Sequence, residues 1–242
     1  MPLKTARISG LLLATVLLAA PASAQIVQSL HIGVGAFLPK GEDARDPKDV
    51  LNENLNSLAF KIGDFNSGHV FGEWLVAFGN HVEIGAGVGF HANGAPSYYR
   101  DYEDGRDGSD IEQDLHLRVV PVTGLVRFLG GRPGTFQPYF GVGVSALNFR
   151  YTESGEFIDF AELTSTGAFV IFRNRYTATG TAVGPVVMAG FRAPINGDIY
   201  GLTFEWRYQG GVGNTGGLPA GFLADKIDLG GNHINFGFLV RF

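Results

Sequence analysis

Eight stretches of this 242-residue chain alternate apolar residues with small or polar ones at a period of two, and the last stretch runs to the C-terminal phenylalanine. Successive side chains of a strand point to opposite faces, so this period reads as strand with one apolar face. In the clearest stretch Val82, Ile84, Ala86, Val88 and Phe90 oppose Glu83, Gly85, Gly87, Gly89 and His91. Leu30 to Leu38, Trp74 to Phe78, Phe140 to Ala146, Leu202 to Tyr208 and Ile234 to Phe242 repeat the pattern. Residues 113–128 alternate Leu115, Leu117 and Val119 with His116 and Arg118, and Pro121 predicts a bulge or break in that ladder. Around Gly184 and Pro185 the stretch 176–192 is ambiguous.

The connections alternate in length. Residues 79–81, 129–135 and 193–198 are short and rich in Gly, Asn and Pro, whereas 39–69, 93–112, 152–175 and 210–226 are long and polar. Short turns at one end and long loops at the other are the layout of a membrane-spanning barrel. No stretch after residue 25 is apolar enough for a spanning helix, and a closed barrel is the other way to satisfy every backbone group in hydrocarbon. A soluble β-sandwich is the competing reading of the same alternation. The face opposite the apolar one carries Glu73, Glu83, Arg118, Arg192, Glu205, Arg207 and Arg241. Eight strands enclose a lumen just wide enough for side chains, so these charges predict an internal ion-pair network. Arg127 would share the outer face with Leu125, near a short turn, where lipid tolerates it. Trp74, Phe78, Phe90, Phe140, Phe191, Phe204, Trp206, Tyr208, Phe236, Phe238 and Phe242 fall on outward positions suited to interfacial girdles.

Composition narrows the setting. Glycine reaches 36 residues, aromatics 12% and charged residues only 17%, against about 25% in an average soluble protein. The absence of cysteine excludes disulfides, thiolate metal sites and a lipidated N-terminal cysteine. Lys4 and Arg7, an apolar run from Ile8 to Ala20, and Ala22-Ser23-Ala24 form a cleavable export signal over residues 1–24, leaving a barrel domain over 25–242. Without that signal the chain has 16 basic and 23 acidic residues, and no basic stripe for nucleic acid.

The closing run Asn235-Phe236-Gly237-Phe238-Leu239-Val240-Arg241-Phe242 resembles the C-terminal strand signature of bacterial outer-membrane barrels. With the export signal and eight strands, the chain resembles the small barrel family that includes the OmpA membrane domain, OmpX and OmpW. That resemblance implies an all-β, eight-stranded antiparallel transmembrane β-barrel with up-and-down meander topology in a Gram-negative-type outer membrane. It implies that Phe238, Val240 and Phe242 are read by the barrel-assembly machinery. Outer-membrane lipids and lipopolysaccharide are the expected partners of what would be a monomer. The role it suggests is structural or surface interaction through long extracellular loops, with no catalysis and no cofactor; the alternative is a narrow conduit for small hydrophobic solutes.

Other chemistry is weakly signalled. Barrel deacylases resemble a His-x-Ser-Asn pattern, but here Asn232-His233-Ile234-Asn235 places Asn235 where the serine would stand, and His233 reads as a loop or interfacial side chain. His31, His91 and His116 share the inward parity, as lumen hydrogen-bond partners or a metal site. Glu73 and Glu83 could form a carboxylate pair, but arginine neutralisation is the expected fate. The acidic link 101–110 lacks the order of a calcium loop and reads as solvated surface, with weak divalent-cation binding as its alternative. Asp46-Pro47 predicts a helix start, with Val50, Leu51, Leu55 and Leu58 as an apolar stripe. That stripe would cap the barrel mouth, bind an apolar solute, or pack on neighbouring loops. The Gly-x-Gly strings lie within strands, where a crowded lumen explains them.

Overall fold

A computed structural model describes residues 26–242, apart from Thr166 and the side chain of Asn196; the expected export signal lies outside the described residues. The barrel strands are β1 (Val27–Pro39), β2 (Ser67–Phe78), β3 (Val82–Glu103), β4 (Asp110–Leu129), β5 (Gln137–Leu163), β6 (Phe169–Asn196), β7 (Tyr200–Gln209) and β10 (Gly231–Arg241). Each pairs antiparallel with its sequence neighbour, and β1 pairs with β10 to close the ring. A small ribbon, β8 (Val212–Asn214) with β9 (Lys226–Asp228), lies between β7 and β10. At the seam the Phe242 N–H donates to the Gln28 carbonyl at 2.9 Å, and the Gln28 N–H returns a bond to Phe242 at 3.1 Å. The chain's final aromatic therefore finishes the closure, with its ring edge-on to Trp74 at 5.4 Å.

Around the outside runs an uncharged apolar belt. It includes Ile32, Val34, Val70, Trp74, Val88, Val122, Phe140, Val144, Val183, Val187, Leu202 and Phe236, all exposed. Withdrawing one such side chain from water is worth about 1.5–3 kcal/mol, so a belt reaching every strand fits only a lipid surround. Near the short turns the belt ends in paired rings, with Phe128 on Phe140 at 5.0 Å, Phe191 on Phe204 at 5.6 Å and Tyr200 on Phe238 at 5.8 Å.

The strands differ greatly in length. β7 and β10 have 10 and 11 residues, close to the roughly 9–11 that cross a bilayer. β5 and β6 have 27 and 28, and at ~3.3 Å per residue they rise far above the belt. Two of the expected long loops, 93–112 and 152–175, are therefore mostly continuous hairpin, with turns only near 104–109 and 164–168. The ambiguous stretch at Gly184 and Pro185 is uninterrupted β6. Together β3 to β6 form a tall wall over half of the ring.

Above the belt the wall inverts its polarity without changing register. Leu115, Leu117 and Val119 point inward and are buried, while His116 and Arg118 point out. The register is the same on both sides of Pro121, with Val88 opposite Val122 and His91 opposite Val119, so there is no bulge; the expected break appears instead, as the β3–β4 ladder skips the Gly89–Pro121 and Phe90–Val120 positions. Membrane strands are apolar outside; strands in water are apolar inside. β4 does both, and its apolar phase shifts by one residue between Val119 and Val120.

The other two long links fill the space that the wall encloses. Helix α1 (Val50–Leu55) starts at Asp49, three residues later than Asp46-Pro47 suggested; Asp49 Oδ1 accepts from the Leu51 N–H at 3.0 Å. Asp46 instead makes a turn, accepting from the Lys48 N–H at 2.9 Å. Val50, Leu51, Leu58, Phe60, Ile62 and Phe65 pack with Phe222, Ile227 and Leu229 against the inner wall. Asp49 also accepts from the Asp228 N–H and from Arg45 at 2.8 Å, tying the two links into one plug.

Candidate functional site

Above an ion cluster at the short-turn end, three layers fill the lumen up to the tall end. The middle of the barrel holds a closed square of two carboxylates and two guanidiniums. Arg127 Nη2 donates to Glu73 and, at 2.9 Å, to Glu205. Arg207 Nε donates to Glu205 at 2.9 Å, and its Nη2 reaches Glu73. His31 Nδ1 donates to Glu73 at 2.9 Å, and its Nε2 shares a hydrogen bond with the Thr203 hydroxyl at 2.8 Å. Tyr139 donates its hydroxyl to Glu205 at 2.9 Å, and the Arg127 guanidinium lies over the Tyr139 ring at 5.0 Å. All four ions are at most 4% exposed, yet each is paired with opposite charge. Lumen glycines make room for these side chains: a Cβ at Gly87 would meet Glu73 Cγ at 2.6 Å.

Towards the short turns Arg192 clasps Glu83 through both terminal nitrogens at 3.0–3.1 Å. Arg241 bridges Glu83 at 3.5 Å to Asp198 at the rim. Of the seven residues expected in the lumen, Glu73, Glu83, Arg192, Glu205, Arg207 and Arg241 lie there and Arg118 does not. Arg118 stands on the outer wall, with its guanidinium 5.6 Å from the Phe90 ring at the upper edge of the belt. The fourth lumen arginine is Arg127, 1% exposed, which the alternation of the sequence places on the lipid face. It shares Leu125's parity, as expected, but that parity is inward.

Above the square lies a histidine layer. His69, His91 and His233 face one another, each at most 3% exposed, and one ring nitrogen from each fits within 4.8 Å of the other two. His69 Nδ1 donates to Asn235 Oδ1 at 3.1 Å. Among the described residues both ring nitrogens of His91 and of His233 lack hydrogen-bond partners, as does Asn235 Nδ2. Leaving a buried polar atom unpaired costs about 1–3 kcal/mol. The Phe37 ring stacks on His91 at 4.0 Å and tilts against His233 at 4.9 Å. The expected trio of His31, His91 and His116 does not assemble: His31 belongs to the square and His116 is on the outer wall. His233 is a lumen residue, not a loop side chain. Extending the inward parity of β2 and β10 by two residues past Phe71 and Asn235 would have found His69 and His233.

The plug forms the third layer, and one acid sits inside it. Glu153 accepts from Asn54 at 2.7 Å and from the Tyr151 hydroxyl at 2.9 Å. It lies above the belt, and burial raises its pKa from the ordinary 4.5, partly offset by those two donors. A raised folded-state pKa means that the native plug binds the proton more tightly than the unfolded chain. The resulting stabilisation is complete below pH 4.5 and fades as pH rises through the elevated value. Hydrogen exchange over residues 50–65 should therefore show better protection in mild acid than at neutral pH. Glu153→Gln, which keeps an acceptor for both donors, should flatten that dependence.

The acidic turn is occupied by its own bonds, with Asp104 accepting from Arg106 Nε at 2.9 Å and Asp107 from Ser109 at 2.7–3.0 Å.

No protein-family model matches this sequence. No curated protein matches it either. Among solved structures, the outer membrane protein OprG from Pseudomonas aeruginosa is 13% identical, with 90% of this chain and 97% of that one aligned at a TM-score of 0.50. Neisserial surface protein A (11%, 89% and 97%, TM-score 0.46) and Yersinia pestis Ail (12%, 90% and 99%, TM-score 0.44) are also similar. With an exposed apolar belt on every strand, this chain has the closed eight-stranded antiparallel barrel fold that it shares with OprG.

Proposed function

We propose that the protein is a non-enzymatic, monomeric outer-membrane barrel with a closed lumen that acts at the cell surface through its tall wall. The short turns then face the periplasm and the wall faces outwards. In this reading the belt meets outer-membrane lipid and lipopolysaccharide, and the assembly machinery reads Phe238, Val240 and Phe242 on the final strand.

The observation that carries the surface role is the tip of the wall. Tyr102, Phe160 and Phe169 meet edge to face at 5.3–5.9 Å, all three exposed, with Leu163 and Phe172 exposed beside them. An apolar patch held in water far above a membrane is the kind of surface that a partner covers. Cells displaying the protein should be retained on protein-coated surfaces several-fold more than cells lacking it. The triple variant Tyr102→Ser, Phe160→Ser, Phe169→Ser should lose that gain while its barrel still folds. Full retention by the triple variant would reject the role.

The packed square and plug support the closed lumen. Planar-bilayer recordings of the pure protein are expected to show no unitary conductance; steady channels would favour the conduit for hydrophobic solutes instead.

A further inference from the structure

We propose that His69, His91 and His233 form a binding site for one divalent first-row transition ion of the zinc class, held in the lumen between the ion square and the plug. The fold delivers the three imidazoles from different strands. His69 and His91 are direct cross-strand partners of β2 and β3, and His233 enters from β10, opposite Phe37 of β1. The set contains no carboxylate or thiolate, and three imidazoles suit zinc, copper, nickel or cobalt rather than calcium or magnesium.

Geometry and satisfaction both point to an ion. The Asn235 carbonyl takes the Nδ1 proton of His69, which leaves its Nε2 lone pair free. That carbonyl-to-histidine contact is the usual outer-shell support of a metal ligand. His91 and His233 are buried with all four ring nitrogens unpartnered. Three nitrogens bound tetrahedrally at ~2.0–2.1 Å lie roughly 3.4 Å apart. The observed 4.8 Å span therefore needs a closure of about 1.4 Å, within reach of side-chain rotation. His233, whose ring no hydrogen bond holds among the described residues, would supply it. Three protein ligands leave a fourth position, and the unpartnered Asn235 Nδ2 could donate to a water or hydroxide there.

Because the plug lies above the layer and the square below it, loading should accompany folding. The full protein is unfolded in urea and refolded into detergent with zinc or cobalt(II), passed over a desalting column, and analysed for metal by mass spectrometry. The expected result is close to one ion per chain, with the intense visible bands of four-coordinate cobalt. His69→Ala, His91→Ala and His233→Ala should each lower retention at least tenfold, while His116→Ala on the outer wall should not change it. His233→Gln, which preserves volume, separates loss of a ligand from loss of fold, and the change in gel mobility on heating in SDS, expected of a closed barrel, reports closure in every variant. Less than a tenth of an ion per wild-type chain, a pale six-coordinate cobalt spectrum, or full retention in folded His233→Gln would each overturn the proposal.

Discussion

Replacing Arg127 with methionine should destabilise the barrel by about 3–5 kcal/mol, the range for breaking a buried ion pair by removing one partner. The volume is nearly kept, so the effect is electrostatic. Without this guanidinium, Glu73 and Glu205 would face each other with Arg207 as their only arginine, and Tyr139 would lose the cation over its ring. A second substitution, Glu73→Gln, should recover part of the loss by removing the uncompensated charge. Arg118→Met is the control, since exposed side chains away from special features change stability by ~0.5 kcal/mol or less. Urea titration in lipid, followed by the fluorescence of Trp74 and Trp206, measures all three. Equal behaviour of the Arg127 and Arg118 variants would mean that the square does not hold the barrel together.

That pair of arginines also marks how far the sequence could be read. Strand number and the lipid face of β1, β2, β3, β7 and β10 follow from alternation, because in those strands the apolar phase is constant through the belt; the antiparallel order follows from the resemblance and not from alternation. β4 has two apolar phases. Leu115, Leu117 and Val119 are apolar because they line the plug, whereas Val122 and Phe128 are apolar because they meet lipid. Reading both as lipid-facing assigns Arg118 and Arg127 each to the wrong side. The one visible sign is the adjacent pair Val119-Val120, where the two phases meet. Length caused the second failure. Polar residues in 93–112 and 152–175 suggest loops, yet they alternate with buried Ala95, Ile111 and Phe157, as a half-buried sheet in water does. The histidine layer was hidden because its members come from three strands, and two stand at the ends of their alternating runs.

Leu51→Asp should expel the plug while leaving the membrane part intact. Leu51 is fully buried between α1 and the wall. Truncating such a leucine to alanine costs about 2–5 kcal/mol, and a carboxylate in its place adds a charge without a partner. Six residues are too few for a helix to persist in water on its own. Once its apolar side is rejected, the segment should leave as a unit with the 226–230 strip that Asp49 and Lys40 hold. Limited proteolysis should then cut within residues 40–66, which the wild type resists, and amide protection there should collapse. The gel shift should persist, because the seam bonds between Gln28 and Phe242 and the ion square lie below the plug. Conductance should stay absent for the same reason, since the square closes the lumen independently. A channel in the Leu51 variant would show that the plug is the only seal.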